Sequence, residues 1–308
     1  MLDKISIKIM NELCHDGRYS NVVLARKLGF NVATVAKKIN AMIEKRIIVI
    51  KALPNPSIMG YDSQAFIGLS VDLKKINNVC DRLTKYKHTF MVTTSFGRYD
   101  ILLIVFFHKK DMLHDFIKGE LLRIEGVTRV ETYFILEDRR WIERILPDAS
   151  METSPILIDE FDKKIIAELM QNGRPNYSDL GKKLGASKST ISRRIALLLK
   201  EDVIKILAFP NLSKLGYSAN AYVLVNAEHS KIGKICDQLF SYPEVHLVIK
   251  LMNNFDILFG IYSENPKTLE EFLQNKIGNM DGILKTETFI RGSYSYFSTH
   301  AVFPPYVV

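Results

Sequence analysis

Apolar positions along the chain keep a helical rhythm that changes twice to a strand rhythm and then starts again. After Asp3, an acceptor suited to capping a helix, residues Ile5 to Leu13 carry apolar side chains at three- and four-residue spacing. Val22 to Leu28 forms a second, shorter stretch, Gly29-Phe30 turns the chain, and Asn31 caps a third stretch from Val32 to Lys45. The β-branched run Ile47–Ile50 follows and ends at Pro54, which predicts a wing or hinge strand leaving three helices. Beyond it the pattern predicts strand, helix, strand, strand, helix, strand over Ala65–Val71, Ile76–Tyr86, Phe90–Gly97, Ile101–Phe107, Met112–Leu122 and Val127–Ile135. The whole succession then recurs. Asp159 precedes Phe161, Ile165, Ile166 and Leu169; Tyr177–Leu184 is the short helix; Gly185-Ala186 turns; Ser187 caps Lys188–Leu199; Val203–Ile206 is the strand before Pro210. Ala221–Asn226, Ile232–Tyr242, Val245–Met252, Ile257–Tyr262, Leu269–Ile277 and Ile283–Ile290 complete it.

This recurrence is a tandem duplication. Shifting the chain by 156 positions aligns Asp3–Phe134 with Asp159–Ile290 without a gap, and 37 of the 132 pairs are identical. Identities come in blocks: Gly17-Arg18 with Gly173-Arg174, Lys27-Leu28-Gly29 with Lys183-Leu184-Gly185, Pro54-Asn55 with Pro210-Asn211, and Asp100-Ile101-Leu102 with Asp256-Ile257-Leu258. The expected fold is α+β: two tandem units, each a winged helix-turn-helix head plus a ferredoxin-like βαββαβ domain. The expected boundaries are 1–53 and 158–209 for the heads, 54–137 and 210–308 for the ferredoxin-like domains, the second with a C-terminal tail, and 138–157 for a linker. That linker holds Pro147-Asp148-Ala149-Ser150 and Thr153-Ser154-Pro155 after a helix-like piece, Arg139 to Leu146. In a βαββαβ unit helices cover one sheet face, so the other is expected to pack on a second sheet, within the chain or on a partner.

Composition narrows the classes. The 308 residues are 47% hydrophobic and 25% charged, with only 3 Cys, which excludes collagenous, disordered and disulfide-framework proteins. The longest apolar run, Ile101 to Phe107, is far short of the roughly 20 residues a bilayer crossing needs, and the mixed charges of the first ten residues do not read as a signal peptide. A cytoplasmic protein is expected. A net charge of +8 permits nucleic acid as a partner.

Helix, glycine turn, capped helix is the helix-turn-helix signature. In it the first residues of the later helix meet base edges and cations further along hold phosphates. The candidate DNA contacts are therefore Asn31, Thr34, Lys37 and Lys38 in the first head, and Ser187, Lys188, Ser189, Ser192, Arg193 and Arg194 in the second. Val32 and Ala33 leave the first head a poorer reading face, yet residues 1–51 hold 10 Lys or Arg against 4 Asp or Glu, while 157–207 hold 10 against 7. The first head is expected to grip phosphate and the second to read bases, on half-sites about 34 Å apart in an imperfect palindrome. Candidate ligand residues lie on the hairpin joining the second and third strands of each ferredoxin-like domain: Gly97, Arg98, Tyr99 and Asp100, then Asn253, Asn254 and Asp256. Gly and Asn there also suit plain turn geometry. In the functional reading Arg98 takes the carboxylate of a small zwitterion, and Asp100 or Asp256 its ammonium. No Walker, dinucleotide-binding or HExxH motif occurs, and neither a metal nor a cofactor is expected.

Taken together, Gly-Arg after the first helix, Leu-Ala/Gly-x-x-Leu-Gly on the second, Ser187-x-Ser-Thr-Ile-Ser-Arg-Arg194 on the third, Pro-Asn with a following Gly-Tyr, and Gly97-Arg-Tyr-Asp100 resemble the Lrp/AsnC family of feast/famine regulators. The resemblance covers both units. It implies a transcription regulator for double-stranded DNA whose ferredoxin-like domains dimerise and bind amino acids or related molecules near that hairpin. With two units per chain, it also implies an intrachain pseudo-dimer or a homo-oligomer. Sirohaem decarboxylases share the architecture, but their His- and Arg-rich tetrapyrrole contacts find no match in Phe90–Ser95 or His246–Leu251. A ligand-sensing scaffold with decayed heads is the remaining alternative.

Overall fold

The computed structural model describes residues 2–55, 58–140 and 157–297. Most of the expected 138–157 linker, residues 141–156, and the tail beyond 297 lie outside the described residues.

Described elements group by kind rather than by repeat. One compact unit combines the two heads, and a second combines the two ferredoxin-like domains. In the first head α1 (Lys4–His15) starts where Asp3 accepts the Ser6 amide at 2.8 Å, followed by α2 (Asn21–Leu28) and α3 (Val32–Glu44). The second head repeats this with α6 (Glu160–Gln171), α7 (Tyr177–Leu184) and α8 (Lys188–Lys200). Gly29 and Gly185 close α2 and α7 in the left-handed region, at φ 72° and 71°, where a Cβ would be strained. A single core serves both heads: Ile9, Leu13, Val35 and Ile39 of one belong to the same cluster as Ile165, Leu169, Ile191 and Ile195 of the other.

The two expected wing or hinge strands form as such and meet. β1 (Ile48–Pro54) and β6 (Ile204–Pro210) pair antiparallel with each other, from Ile48 opposite Pro210 to Pro54 opposite Ile204. The Gly-Arg repeats lock onto this ribbon crosswise. Gly17 donates its amide to Ile206 O and Gly173 to Ile50 O, both at 2.8 Å. A Cβ at Gly173 would sit 2.9 Å from the Lys51 nitrogen, so the close approach needs glycine. Arg174 then reaches across, donating to Gly17 O and Tyr19 O at 2.6 Å each.

In the other unit, β2 (Ser63–Val71), α4 (Ile76–Leu83), β3 (Thr89–Phe96), β4 (Ile101–Phe107), α5 (Lys110–Asp115) and β5 (Val127–Arg140) form the first ferredoxin-like domain. β7 (Ala219–Ala227), α9 (Ile232–Ser241), β8 (Val245–Met252), β9 (Ile257–Ser263), α10 (Pro266–Phe272) and β10 (Ile283–Phe297) form the second. β5 continues as strand through Arg139 and Arg140, where a helix-like start was expected. Both α5 and α10 run into a π-helical turn, shortening the regular helix relative to the sequence reading.

The sheets join by their edges, and their helix-free faces meet inside the closed barrel, where Tyr222 contacts Met91. β10 pairs with β3 and β5 with β8, closing an eight-stranded barrel in the order β10-β3-β4-β2-β5-β8-β9-β7. Closure removes four strand edges, which an open sheet would leave with unpaired amides and carbonyls. Alternate residues then have different tasks. Ala65, Ile67 and Leu69 pack with Val79, Cys80 and Leu83 of α4, while Phe66, Leu102, Tyr133, Tyr222 and Phe289 are buried outside the helix-covered clusters.

Candidate nucleic-acid interface

The third helices of the two heads share one plan and differ in their outward residues. Ser187 accepts the Thr190 amide at 3.1 Å and its hydroxyl also meets those of Ser189 and Thr190, so it terminates α8 and organises the first turn. Asn31 does the same for α3 through the Ala33 amide at 2.7 Å. Ile191, Ile195 and Leu198 bury one side of α8, and Val35, Ile39 and Met42 one side of α3. That geometry turns Lys188, Ser189, Ser192 and Arg193 outward, all exposed, and likewise Lys37 on α3, with Thr34 half-buried. Among the described residues none of Lys37, Lys188 and Arg193 enters an ion pair, so their charges are available to phosphate or base edges.

Two of the predicted DNA contacts are engaged within their own heads. Arg194 bridges Asp159 at 2.9 Å and Asp162 at 3.0 Å, and the matching Lys38 pairs with Asp3. Both cations brace the start of their own head's first helix. Lys38, with the Ser6 amide, holds the Asp3 carboxyl at about 2. In the second head the Asp162 amide, then Arg194, lowers Asp159, whereas burial raises Asp162. On a single helix Lys37 and Lys38 look alike; only the packed neighbour separates them.

The hairpin residues predicted to hold a ligand are largely engaged within the barrel unit. Asp100 accepts the Val71 amide and Asp256 the Ala227 amide, each at 2.9 Å, so these carboxylates pin strand ends. Gly97 and Asn253 take φ 150° and 143°, the turn chemistry foreseen for them. Asn253 also donates to Thr132 O at 2.9 Å, and the Asn254 carbonyl accepts from Asn226 at 2.6 Å. Arg98 bonds Glu131 at 2.6 Å and Glu287 at 3.4 Å, tying the two domains together. Tyr99 is fully buried, donates to Glu131, meets the Tyr133 hydroxyl at 2.7 Å and stacks on Phe289. Burial works to raise Glu131, but the two phenols and the guanidinium groups of Arg98 and Arg129 outweigh it and hold the carboxyl low; burial drives both phenols up, Tyr133 to about 12. Sequence reasoning missed Arg174, Glu131, Tyr133 and Glu287. Retention of glutamate at both 131 and 287, and of arginine at both 18 and 174, were the available signals.

Cys14, Cys80 and Cys236 are buried, and desolvation raises the Cys80 thiol to about 12, which suits core residues rather than nucleophiles. Among the described residues no helix is long and apolar enough to cross a membrane.

Two helix-turn-helix heads fused through a shared ribbon, carried with paired ferredoxin-like domains, define a two-headed DNA-binding protein built as an intrachain dimer. Family models agree with each part: a winged helix-turn-helix DNA-binding model matches residues 2–49, the AsnC-type helix-turn-helix domain 158–199, and the Lrp/AsnC ligand binding domain both 64–141 and 220–293. An uncharacterised HTH-type transcriptional regulator of Pyrococcus horikoshii is 33% identical over 147 residues, 47% of this chain and 93% of the relative. HTH-type transcriptional regulator FL11 of Pyrococcus furiosus is 32% identical over 135 residues, 44% of this chain and 89% of the relative. The chain belongs to the Lrp/AsnC family of DNA-binding transcriptional regulators, with two family units where each of these relatives spans one. In fold alone, the sirohaem decarboxylase NirDL aligns over 99% of this chain and 95% of its own, with a TM-score of 0.66 and 15% identity.

Proposed function

We propose that the chain is a one-component regulator without catalytic activity, which reads an asymmetric two-half-site operator through α3 and α8 and responds to an amino acid or related small molecule. The observation that carries this reading is the outward face of α8, where Lys188, Ser189, Ser192 and Arg193 are exposed and neither cation has an intramolecular ion-pair partner among the described residues. Hydroxyls permit close approach to base edges and a guanidinium fork matches guanine. Selection from a random duplex library with the whole chain, near physiological salt and with or without pooled amino acids, tests it. A recovered asymmetric motif that Arg193→Ala relaxes at one position, with a loss of about 1–3 kcal/mol, supports the reading. Uniform, steeply salt-dependent binding without a motif overturns it.

The whole-chain likeness to NirDL favours a second reading, a decarboxylase of sirohaem-like tetrapyrroles. Against it stand the barrel's own residues. The Arg98–Glu131–Tyr99–Tyr133 set is closed upon itself, and β3 and β8 lack a His- and Arg-rich run. Titration with an iron uroporphyrin separates the two: a shifted, saturable absorbance band supports the enzyme, and an unchanged spectrum the regulator.

A further inference from the structure

The 156-residue shift lets each position of one reading helix be compared with its counterpart on the other. At the first outward positions, α8 has Lys188 and Ser189 where α3 has Val32 and Ala33; one turn on, Ser192 and Arg193 stand where α3 has Ala36 and Lys37. At three of these four places a hydrogen-bonding group in the second head becomes a hydrocarbon in the first. Equivalent positions cap the helix, bury an apolar side and brace the head's first helix in both heads. Val32 is 42% exposed at the first residue of its helix, and Ala33 beside it is exposed. Neither contributes to the core of the head. The surrounding charge still suits nucleic acid, with 10 Lys or Arg against 4 Asp or Glu in residues 1–51, and Lys37 remains outward and without an ion-pair partner among the described residues.

In the major groove the C5-methyl of thymine is the apolar feature among donors and acceptors, and small aliphatic side chains are its complement. We infer that the first head reads thymine methyl groups through Val32 and Ala33, with Lys37 on phosphate, while the second head reads hydrogen-bonding edges. The face that looks poor in readers is then specific of another kind. Its half-site should be rich in thymine at the positions that meet the first turn of α3, and the operator's asymmetry follows from the two chemistries.

This inference rests on the regulator reading, and the test keeps the two apart. Half-sites are assigned first, by finding which one loses preference in Arg193→Ala. Each thymine of the selected duplex is then replaced by deoxyuridine, which removes the methyl and leaves base pairing intact. Binding by the whole chain should weaken about fourfold for each contacted methyl in the first head's half-site, and stay unchanged in the other. Val32→Ser together with Ala33→Ser, changes at exposed positions, should abolish that sensitivity. Exchanging Val32, Ala33, Ala36 and Lys37 for Lys, Ser, Ser and Arg should move the selected motif towards a palindrome. A motif indifferent to methyl removal in both half-sites, or equally sensitive in both, overturns the inference while the regulator reading stands. Selection without any motif overturns both.

Discussion

Arg18 and Arg174 occupy equivalent positions in the two heads, yet the structure assigns them unequal work, which makes a controlled prediction possible. Arg174 is half-buried and donates to two backbone carbonyls of the other head, Gly17 O and Tyr19 O, at 2.6 Å each. Arg18 bonds Asp16 at 2.8 and 2.9 Å on the surface of its own head, with half of its side chain exposed. A hydrogen bond to a charged group contributes about 1.5–3 kcal/mol. Two of them set an upper limit of about 6 kcal/mol, and water entering the half-buried site brings the expected loss in Arg174→Ala to about 2–3 kcal/mol. An exposed pair such as Arg18–Asp16 contributes about 0–1 kcal/mol. The amides of Gly17 and Gly173 report directly, because each donates to the opposing strand of the ribbon. Native-state hydrogen exchange of the whole chain should show these amides exchanging about 30- to 150-fold faster in Arg174→Ala, and less than about fivefold faster in Arg18→Ala. Equal effects, or an Arg174→Ala change below about fivefold, would refute the view that this arginine fastens one head to the other.

Three further expectations follow from single contacts. Gly68→Ala should destabilise the barrel unit by about 1–3 kcal/mol in urea unfolding, because a Cβ there would overlap the buried Tyr99 ring; the counterpart Leu224→Ala should instead cost through a cavity, and an unchanged midpoint for Gly68→Ala would contradict the packing described. Lowered to about 2 in the folded state, Asp3 contributes stability that is complete above its ordinary carboxyl range and lost as pH falls through about 2; carboxyl NMR should show Lys38→Gln moving its titration upward, and no movement would break the assigned brace. Phe96 and Met252, 71% and 56% exposed, lie opposite Ile290 and Phe134 at the two barrel seams and form equivalent apolar pairs. Replacing both with Ser should lower the assembly mass in sedimentation velocity, and an unaltered mass would exclude these seams as self-association surfaces.

The duplication itself explains which features the sequence reveals. Helix positions, caps and the βαββαβ order are legible because each depends on neighbours three or four residues away, and each is written twice. Pairing of β1 with β6, the barrel seams and the brace on Lys38 are not, because a strand's partner or a cation's counter-ion is fixed by packing across long separations. The pairs that match in both copies turn out to be scaffold. Asp100 and Asp256 bind equivalent amides, Gly17 and Gly173 admit the opposite strand, and Asp3 and Asp159 cap equivalent helices. Pairs that differ divide labour instead. Tyr99 builds a hydrogen-bonded cluster where Phe255 cannot, and Val32 meets solvent where Lys188 stands in the other head. Two identical units related by a two-fold axis must present the same chemistry to both half-sites of a palindrome. A fused pair is released from that constraint, because each reading helix can change alone while the shared ribbon and core hold both heads in one unit. Polar-to-apolar differences on the outward residues of α3 and α8, over a buried side that stays apolar in both, are what such a release allows.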